Sequence, residues 1–245
     1  MESNGIIGIV TDPGSGLTPH RARSQNVHLL ALDRPLDEQY RNLLEHYDRL
    51  ISLHGSINLC PMYDAASAAA ESLGERVQVI DTQLGSAGLG AAALRAAELV
   101  NRGAGEAEVI EEVQRLASIG HLFLLTRDLD HLVENYMLPG ALGRLGKTFG
   151  HWVLIGIEQG QMQAPRPVRS RKVPAAVARR LKQHFGNERL RVRVGVGDLP
   201  PSLSQELKET LAHSLRLEAG VLSPMDATAR TRVGNQSLAV FAYPV

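Results

Sequence analysis

Short β-branched strands alternate with helical patterns throughout the first 120 residues of the chain. Strands are predicted at 6–12, 27–33, 48–54 and 77–81, and helices at 36–47, 61–73, 91–100 and 106–119. Helices of this length between successive strands favour a parallel sheet that is covered on both faces. The sequence therefore predicts a three-layer α/β domain over residues 1–120.

The pattern changes after Gly120, and a second domain is predicted over residues 121–245. In the first half of the segment 189–198, arginine and valine alternate, which is typical of a strand with one face in water. Ser202 and Gln205 form a capping-box pattern at the start of a predicted helix. Further strands are predicted at 121–126, 151–158, 215–222 and 238–244, and a further helix at 175–185. These elements predict an α+β domain with a mixed sheet.

Composition and the N-terminus predict a cytoplasmic protein without a membrane span. No apolar run reaches the roughly 20 residues that a transmembrane helix needs. The first residues form a strand pattern and lack the basic and apolar regions of a secretion signal. Cys60 is the single cysteine, which excludes an internal disulfide and a cysteine-based zinc site and fits a reducing compartment.

Residue patterns for enzymatic chemistry are weak. The nine histidines are scattered without metal-site spacing, and no serine lies in a G-x-S-x-G turn. The joint 79-VIDTQLGSAGLG-90 carries three glycines where a strand meets a helix, but their order is not the dinucleotide fingerprint. Asp12 and Asp81 each end a predicted parallel strand. Carboxylates at this edge of a sheet either lie in a functional crevice or cap a turn or a helix. We therefore predict no metal, nucleotide or other cofactor.

A strongly basic segment spans residues 166–193, with ten arginines and lysines against one acid. Such a segment is a candidate for binding a nucleic-acid backbone, an acidic partner or another anion. Only Phe185 falls among these cations, whereas single-strand binders interleave aromatic residues. Nucleic-acid binding is therefore disfavoured against a plain charged surface.

The order of several motifs resembles the DegV family, in a divergent and shortened form. The matching pieces run along most of the chain: 9-IVTD-12, 48-DRLISLHGSINL-59, 79-VIDTQLGSAGLG-90, 129-LDHL-132, 168-VRSRK-172 and 232-RVGNQSLAVFAY-243. The resemblance implies a bacterial, cytoplasmic fatty-acid-binding protein that holds a carboxylate in a cleft between two domains. It also implies that the chain is no enzyme, because phosphoryl transfer belongs to a separate fatty acid kinase.

The resemblance also implies the residues of the binding site. Arg169 matches the family's arginine, and Arg232 stands where the family has a histidine. The family's Ser-Gly-Thr reads Cys60, Pro61 and Met62 here, so a thiol replaces the hydroxyl that binds the carboxylate. The remaining predicted ligand-binding residues come from the first strand, the segment around Cys60 and the glycine joint: Asp12, Leu59, Leu84, Ser86, Gly88 and Leu89.

Two alternatives of other classes stay open at this point. In the first, the changed residues at 60–62 and 232 mean that the chain has lost fatty acid binding and binds another small anion or acts as a regulator. In the second, residues 166–193 bind RNA, and this binding would weaken as salt rises.

Overall fold

The computed structural model describes residues 5–134, 152–169, 172–225 and 227–245. Its strands are β1 Ile7–Thr11, β2 Val27–Leu29, β3 Arg49–His54, β4 Val77–Asp81, β5 His121–Thr126, β6 Trp152–Glu158, β7 Gln161–Met162, β8 Arg166–Val168, β9 Arg189–Val196, β10 Arg216–Pro224 and β11 Ser237–Pro244. Its α-helices are α1 Pro19–Arg23, α2 Leu36–Leu43, α3 Met62–Ala70, α4 Ala87–Asn101, α5 Glu106–Ile119, α6 Leu129–Glu134, α7 Val173–Phe185, α8 Pro201–Ser214 and α9 Ala227–Val233. Short 3₁₀ turns cover Pro13–Ser15 and Glu71–Arg76.

The strands form two sheets, which confirms the predicted fold class. The first sheet is wholly parallel, with the order β2-β1-β3-β4. The second has the order β10-β9-β11-β5-β6-β7, with β8 also paired to β6. Only the β9–β10 pair within it is parallel, so this sheet is mixed. The proposed domain limits, 1–120 and 121–245, stay a prediction.

The first sheet is covered on both faces because its strands carry apolar side chains on both. Val10 and Leu50 pack with Tyr40 of α2 and Ala66 of α3 on one face. The side chains that point the other way pack with α4 and α5 in the largest hydrophobic cluster of the protein. Two buried faces account for the nearly continuous apolar runs of these strands.

Helix α4 lies between the two sheets and begins at the glycine joint. It contacts β1 and β3 of the first sheet and β9 and β11 of the second. Ten of its fifteen residues are buried, most of them glycine or alanine. Small residues on both buried faces of this helix allow backbone on either side to approach closely, while Arg95 and Glu98 form an ion pair at its partly exposed side.

Gly90 of α4 is the position where this close approach is tightest. A Cβ atom there would lie 2.6 Å from the backbone carbonyl oxygen of Ser15. Since neither backbone can yield cheaply, we expect Gly90→Ala to lower the free energy of unfolding by about 1–3 kcal/mol, the usual cost of overpacking. Urea denaturation measures the change. Unaltered stability would show that α4 can move away from the Pro13–Ser15 turn.

Several local predictions were wrong or incomplete, among them the strand 27–33, of which Val27–Leu29 is a strand, and the helix 36–47, which ends at Leu43. The capping box is wrong: α8 begins at Pro201 after Pro200, and no side chain caps it. The proline ring sets the helical φ and lacks the N–H that a cap would bind. Helix α4 begins at Ala87 rather than at 91, since packing between the sheets outweighs the low helix propensity of glycine. Helices α1 and α9 fall in segments that were predicted as irregular.

Candidate ligand-binding cavity

A cavity of about 70 Å³ lies between the two sheets, beside the start of α4. Its wall is predominantly apolar, and both halves of the chain contribute to it. The apolar residues that line it include Leu59, Leu89, Leu122, Phe123, Leu124, Ile157, Met162 and Val233. Its polar lining residues are Asp12, Cys60, Ser86 and Arg232. An apolar chamber with few polar groups is the usual form of a small-molecule site.

Ser86 stands at the joint between the strand β4 and helix α4. It is the N-cap residue of α4, yet its side chain makes no capping hydrogen bond. Its φ of 43° is a backbone conformation that costs a residue with a Cβ atom about 1–3 kcal/mol. The buried Oγ atom has no hydrogen-bond partner among the described residues. Since buried hydroxyls are nearly always hydrogen-bonded, this unpaired one makes Ser86 a candidate for contact with a ligand.

Arg232 reaches the cavity from the last turn of α9. Its Nη1 atom donates to Cys60 Sγ at 2.6 Å, across 172 residues of sequence. Its buried Nε atom has no partner in the part of the chain that the structure describes, and no described carboxylate pairs with it. The guanidinium therefore keeps donors for a ligand, because a thiol sulfur is only a weak acceptor.

The thiol of Cys60 contributes no negative charge to this end of the cavity. Burial raises the pKa of Cys60, although the backbone N–H of Met62 and the charge of Arg232 oppose that change. The Cys60 thiol is therefore uncharged and does not offset the positive charge of the Arg232 guanidinium beside it. The cavity end that holds Arg232 is therefore suited to an anion.

A buried chain of hydrogen bonds leads from the cavity into the first sheet. Asp12 Oδ2 lies 2.8 Å from His54 Nδ1, His54 Nε2 lies 2.9 Å from Ser52 Oγ, and Ser52 Oγ lies 2.9 Å from Tyr40 Oη. All four residues are at most 1% exposed. The other carboxylate oxygen of Asp12 accepts from the N–H of Gly14 at 2.7 Å. Burial raises the pKa of Tyr40 to about 12, so its hydroxyl remains protonated.

This chain explains why Asp12 does not pair with Arg232. Both oxygens of the carboxylate already accept hydrogen bonds, and these bonds hold Asp12 against the ends of strands β1 and β3. Asp12 could be placed at a strand end from the sequence, but its contact with His54 could not be predicted. His54 is one of nine scattered histidines, and no local pattern distinguishes it from the others. Adjacent parallel strands bring the two residues together.

Residues 33–245 match the family model described as "Uncharacterised protein, DegV family". The chain belongs to the DegV family. A DegV domain-containing protein of Deinococcus radiodurans is 34% identical over 154 residues, which are 61% of this chain and 55% of that relative. A Thermotoga maritima protein named fatty acid-binding protein is 28% identical over 195 residues. The match covers 78% of this chain and 67% of the Thermotoga protein.

Solved structures of DegV proteins share the fold over nearly the whole chain. The fatty-acid-binding DegV family protein from Thermus thermophilus has a TM-score of 0.86 at 23% identity, with 98% of this chain and 99% of that chain covered. DegV from Bacillus subtilis, described as a fatty acid binding protein, has a TM-score of 0.82 at 17% identity, with coverage of 98% and 100%. The resemblance stated from the motifs is confirmed.

The structure brings six of the ten predicted DegV site residues to one cavity. These six are Asp12, Leu59, Cys60, Ser86, Leu89 and Arg232. The other four do not line it. Arg169 is exposed beyond the end of β8, while residues 170–171 of the VRSRK motif lie outside the described residues. Met62 is half-buried, and Gly88 packs near Leu84 and Phe241, whereas Leu84 lines a neighbouring pocket.

Sequence reasoning missed the wall that the second sheet supplies. Leu122 and Leu124 of β5, together with Ile157 of β6, line the cavity from positions far along the chain, whereas the side chain of Phe123 packs on the opposite face of the sheet. Nothing in their local pattern distinguishes them from ordinary core residues. Their place at the cavity becomes visible only in the folded chain, where the second sheet packs against α4 and the first sheet.

Metal binding and membrane insertion find no support in the described residues. Among them, no group of three or more histidine, cysteine, aspartate or glutamate side chains is placed to hold a metal ion. Across the same ranges, no helix combines the length and the hydrophobicity that crossing a membrane requires.

In the basic segment, Arg180 donates to His121 and Arg189 pairs with Glu218, so these two cations have partners within the protein.

Proposed function

We propose that this DegV-family chain binds a long-chain fatty acid, with its carboxylate at Arg232 and Ser86 and its alkyl chain in the apolar cavity. One observation carries the proposal: an apolar cavity ends at a hydroxyl and a guanidinium N–H that are both buried and unpaired. Buried donors without acceptors cost free energy until a ligand supplies the acceptor.

A carboxylate fits these donors better than other groups of similar size. A guanidinium can donate two parallel hydrogen bonds to the two oxygens of a carboxylate. The Ser86 hydroxyl adds a third donor, and the neutral thiol of Cys60 offers no competing charge. Most of the affinity would come from the alkyl chain, since each buried methylene contributes about 0.8 kcal/mol.

The proposed role is that of a lipid carrier without chemistry of its own. The names of the Thermotoga, Thermus and Bacillus proteins support the ligand class, since each is described as a fatty-acid-binding protein. By the family resemblance, the chain would present the acid to a separate fatty acid kinase in the cytoplasm. Residues 1–120 and 121–245 would then be the two domains that flank the bound ligand.

A second candidate is a small anion, and the size of the cavity favours it. A volume of about 70 Å³ is small beside the roughly 300–1,000 Å³ of typical ligand pockets. In that case Arg232 and Ser86 would bind the anion without an alkyl chain.

Displacement of a fluorescent fatty acid distinguishes the two candidates. We expect palmitate to displace the probe at concentrations at least about a thousandfold below those of acetate, because it adds many buried methylenes to the same head group. Equal displacement by palmitate and acetate would favour the small anion. A probe that does not bind at all would contradict the proposed fatty acid site.

A further inference from the structure

Two arginines of β9, Arg191 and Arg193, lie on the face of the second sheet that packs against α4. Their neighbours Leu190, Val192 and Val194 belong to the hydrophobic cluster on the other face, with α7 and α8. Because successive side chains of a strand point to opposite faces, the two arginines point toward α4. Such a face is an unusual place for arginine, which is mostly exposed to water unless it is paired.

Arg193 has no polar partner in the part of the chain that the structure describes. The residue is half-buried, and its Nε atom is buried without a hydrogen-bond acceptor. The residues opposite it on the flanking strands are Phe241 and Val221, which offer apolar side chains. Its guanidinium makes no ion pair with any described acid. A partly buried cation without an acceptor is unfavourable until an anion supplies one.

Helix α1 brings a second unpaired arginine to the same place. Arg21 is exposed, and its guanidinium pairs with no acid among the described residues. The turn before α1 lies close to β9: Cβ atoms built on Gly16 and Gly195 would lie 3.8 Å and 3.6 Å from Ser86 Oγ. The turn and β9 therefore flank the same residue, and Arg21 follows that turn by five positions.

The charge of Arg21 acts on Arg193. Burial, together with this charge, lowers the pKa of Arg193 to about 10, whereas Tyr243 opposes the change. Both guanidinium groups are therefore positively charged at neutral pH. Like charges repel each other unless an anion lies between them.

The acids nearest to these arginines already have partners of their own. Glu98 pairs with Arg95 at 3.0 Å and lies 3.9 Å from Arg191, whose Nε atom is also buried and unpartnered. Glu112 pairs with Arg95 at 2.9 Å and with Arg115 at 2.6 Å. Two acids thus stand against six arginines in this cluster: Arg21, Arg95, Arg102, Arg115, Arg191 and Arg193.

We propose that Arg193 and Arg21, with Arg191 beside them, bind the phosphate group of a small molecule. A phosphate carries up to two negative charges and several acceptor oxygens, and guanidinium groups match its geometry. A carboxylate would offset only one of the two unpaired charges. Neither Arg193 nor Arg21 lines the cavity at Arg232, so this site does not depend on fatty acid binding.

Titration of inorganic phosphate into the protein by isothermal calorimetry, in chloride at constant ionic strength, tests the site. Arg193→Met removes the half-buried guanidinium, and Arg21→Gln removes the exposed one. Arg189→Met and Arg23→Gln are the matched controls, because both residues are exposed and lie on the same strand and the same helix. All four variants lose one positive charge, so a general electrostatic effect would be equal in all of them.

We expect Arg193→Met to weaken phosphate binding at least about tenfold, as the loss of a hydrogen bond to a charged group does. Arg21→Gln should weaken it about twofold to fivefold, because an exposed charge contributes less. The two controls and Arg232→Ala should bind phosphate as the unaltered chain does. Thermal unfolding identifies any variant that does not fold, and Arg21→Gln tests the site from an exposed position even if Arg193→Met unfolds.

A second titration, with glycerol 3-phosphate, distinguishes the sources of the phosphate group. An affinity comparable to that of inorganic phosphate supports a site for phosphate esters, and binding of inorganic phosphate alone supports a site for the free ion.

Equal phosphate binding by Arg193→Met and Arg189→Met would overturn the site. Loss of phosphate binding in Arg232→Ala would overturn it as well, since the anion would then lie in the cavity at Arg232. The same holds if the unaltered chain binds neither phosphate nor glycerol 3-phosphate at concentrations up to about 10 mM. Palmitate binding, measured separately, tests the proposed function whichever result is found here.

Discussion

Replacing Arg232 by alanine is expected to weaken palmitate binding at least about tenfold, because a hydrogen bond to a charged group contributes about 1.5–3 kcal/mol. The substitution removes the one described guanidinium that lines the cavity and leaves the carboxylate with Ser86 and a thiol. Displacement of a fluorescent fatty acid by palmitate measures the change. Folding should be retained, since the side chain's described hydrogen bond is to the sulfur of Cys60.

Arg230→Ala is the matched control for this substitution. Arg230 lies two residues earlier on the same helix, pairs with Asp198 at 2.6 Å and does not line the cavity. We expect its palmitate affinity to match that of the unaltered chain. If the two variants bind palmitate equally well, Arg232 is not the carboxylate anchor, and the proposed orientation of the ligand is wrong.

Replacing His54 by alanine is expected to lower the free energy of unfolding by about 3–5 kcal/mol, because it removes a large buried side chain and the hydrogen bonds that this side chain makes to buried polar groups. The change would leave Asp12 Oδ2 and Ser52 Oγ buried without their partner and would open a cavity in the core. For a chain of this size, such a loss lowers the midpoint of thermal unfolding by on the order of 10 °C.

His46→Ala provides the comparison for the thermal measurement. His46 is exposed on the segment before β3, so its removal should change the midpoint little. A midpoint for His54→Ala equal to that of His46→Ala would mean that water or a rearranged side chain replaces the imidazole. The buried chain from Asp12 to Tyr40 would then have no structural role.

The fold could be predicted from sequence to the extent that local patterns determine it. Helix α5 and strand β5 have the predicted limits, because acids begin the helix, Gly120 ends it and an uninterrupted apolar run follows. Helix α9 was missed because its segment, Ala227–Val233, has few of the apolar residues that mark a helix face. It carries Arg232 into the cavity, so the position of this arginine depends on an element that local patterns did not indicate.

The residues of the candidate site could be predicted only near a recognisable motif. Ser86 and Leu89 belong to the glycine joint, and Cys60 follows the β3 motif, so the resemblance pointed to residues that line the cavity. The buried chain from Asp12 to Tyr40 depends on the order of strands in the first sheet, and the positions of Leu122 and Ile157 at the cavity depend on register in the second. Sheet order and register arise from contacts between distant residues, which local periodicity does not encode.

Mass spectrometry of an organic extract from the purified chain is the most direct test of fatty acid binding. The chain and Arg232→Ala are purified in parallel, beside an unrelated protein from the same host, and the fatty acids are quantified against protein. We expect about one fatty acid per molecule of the unaltered chain, and clearly less in Arg232→Ala, since affinity falls at least about tenfold. If the unaltered chain carries no more fatty acid than the unrelated protein, the cavity does not retain the proposed ligand.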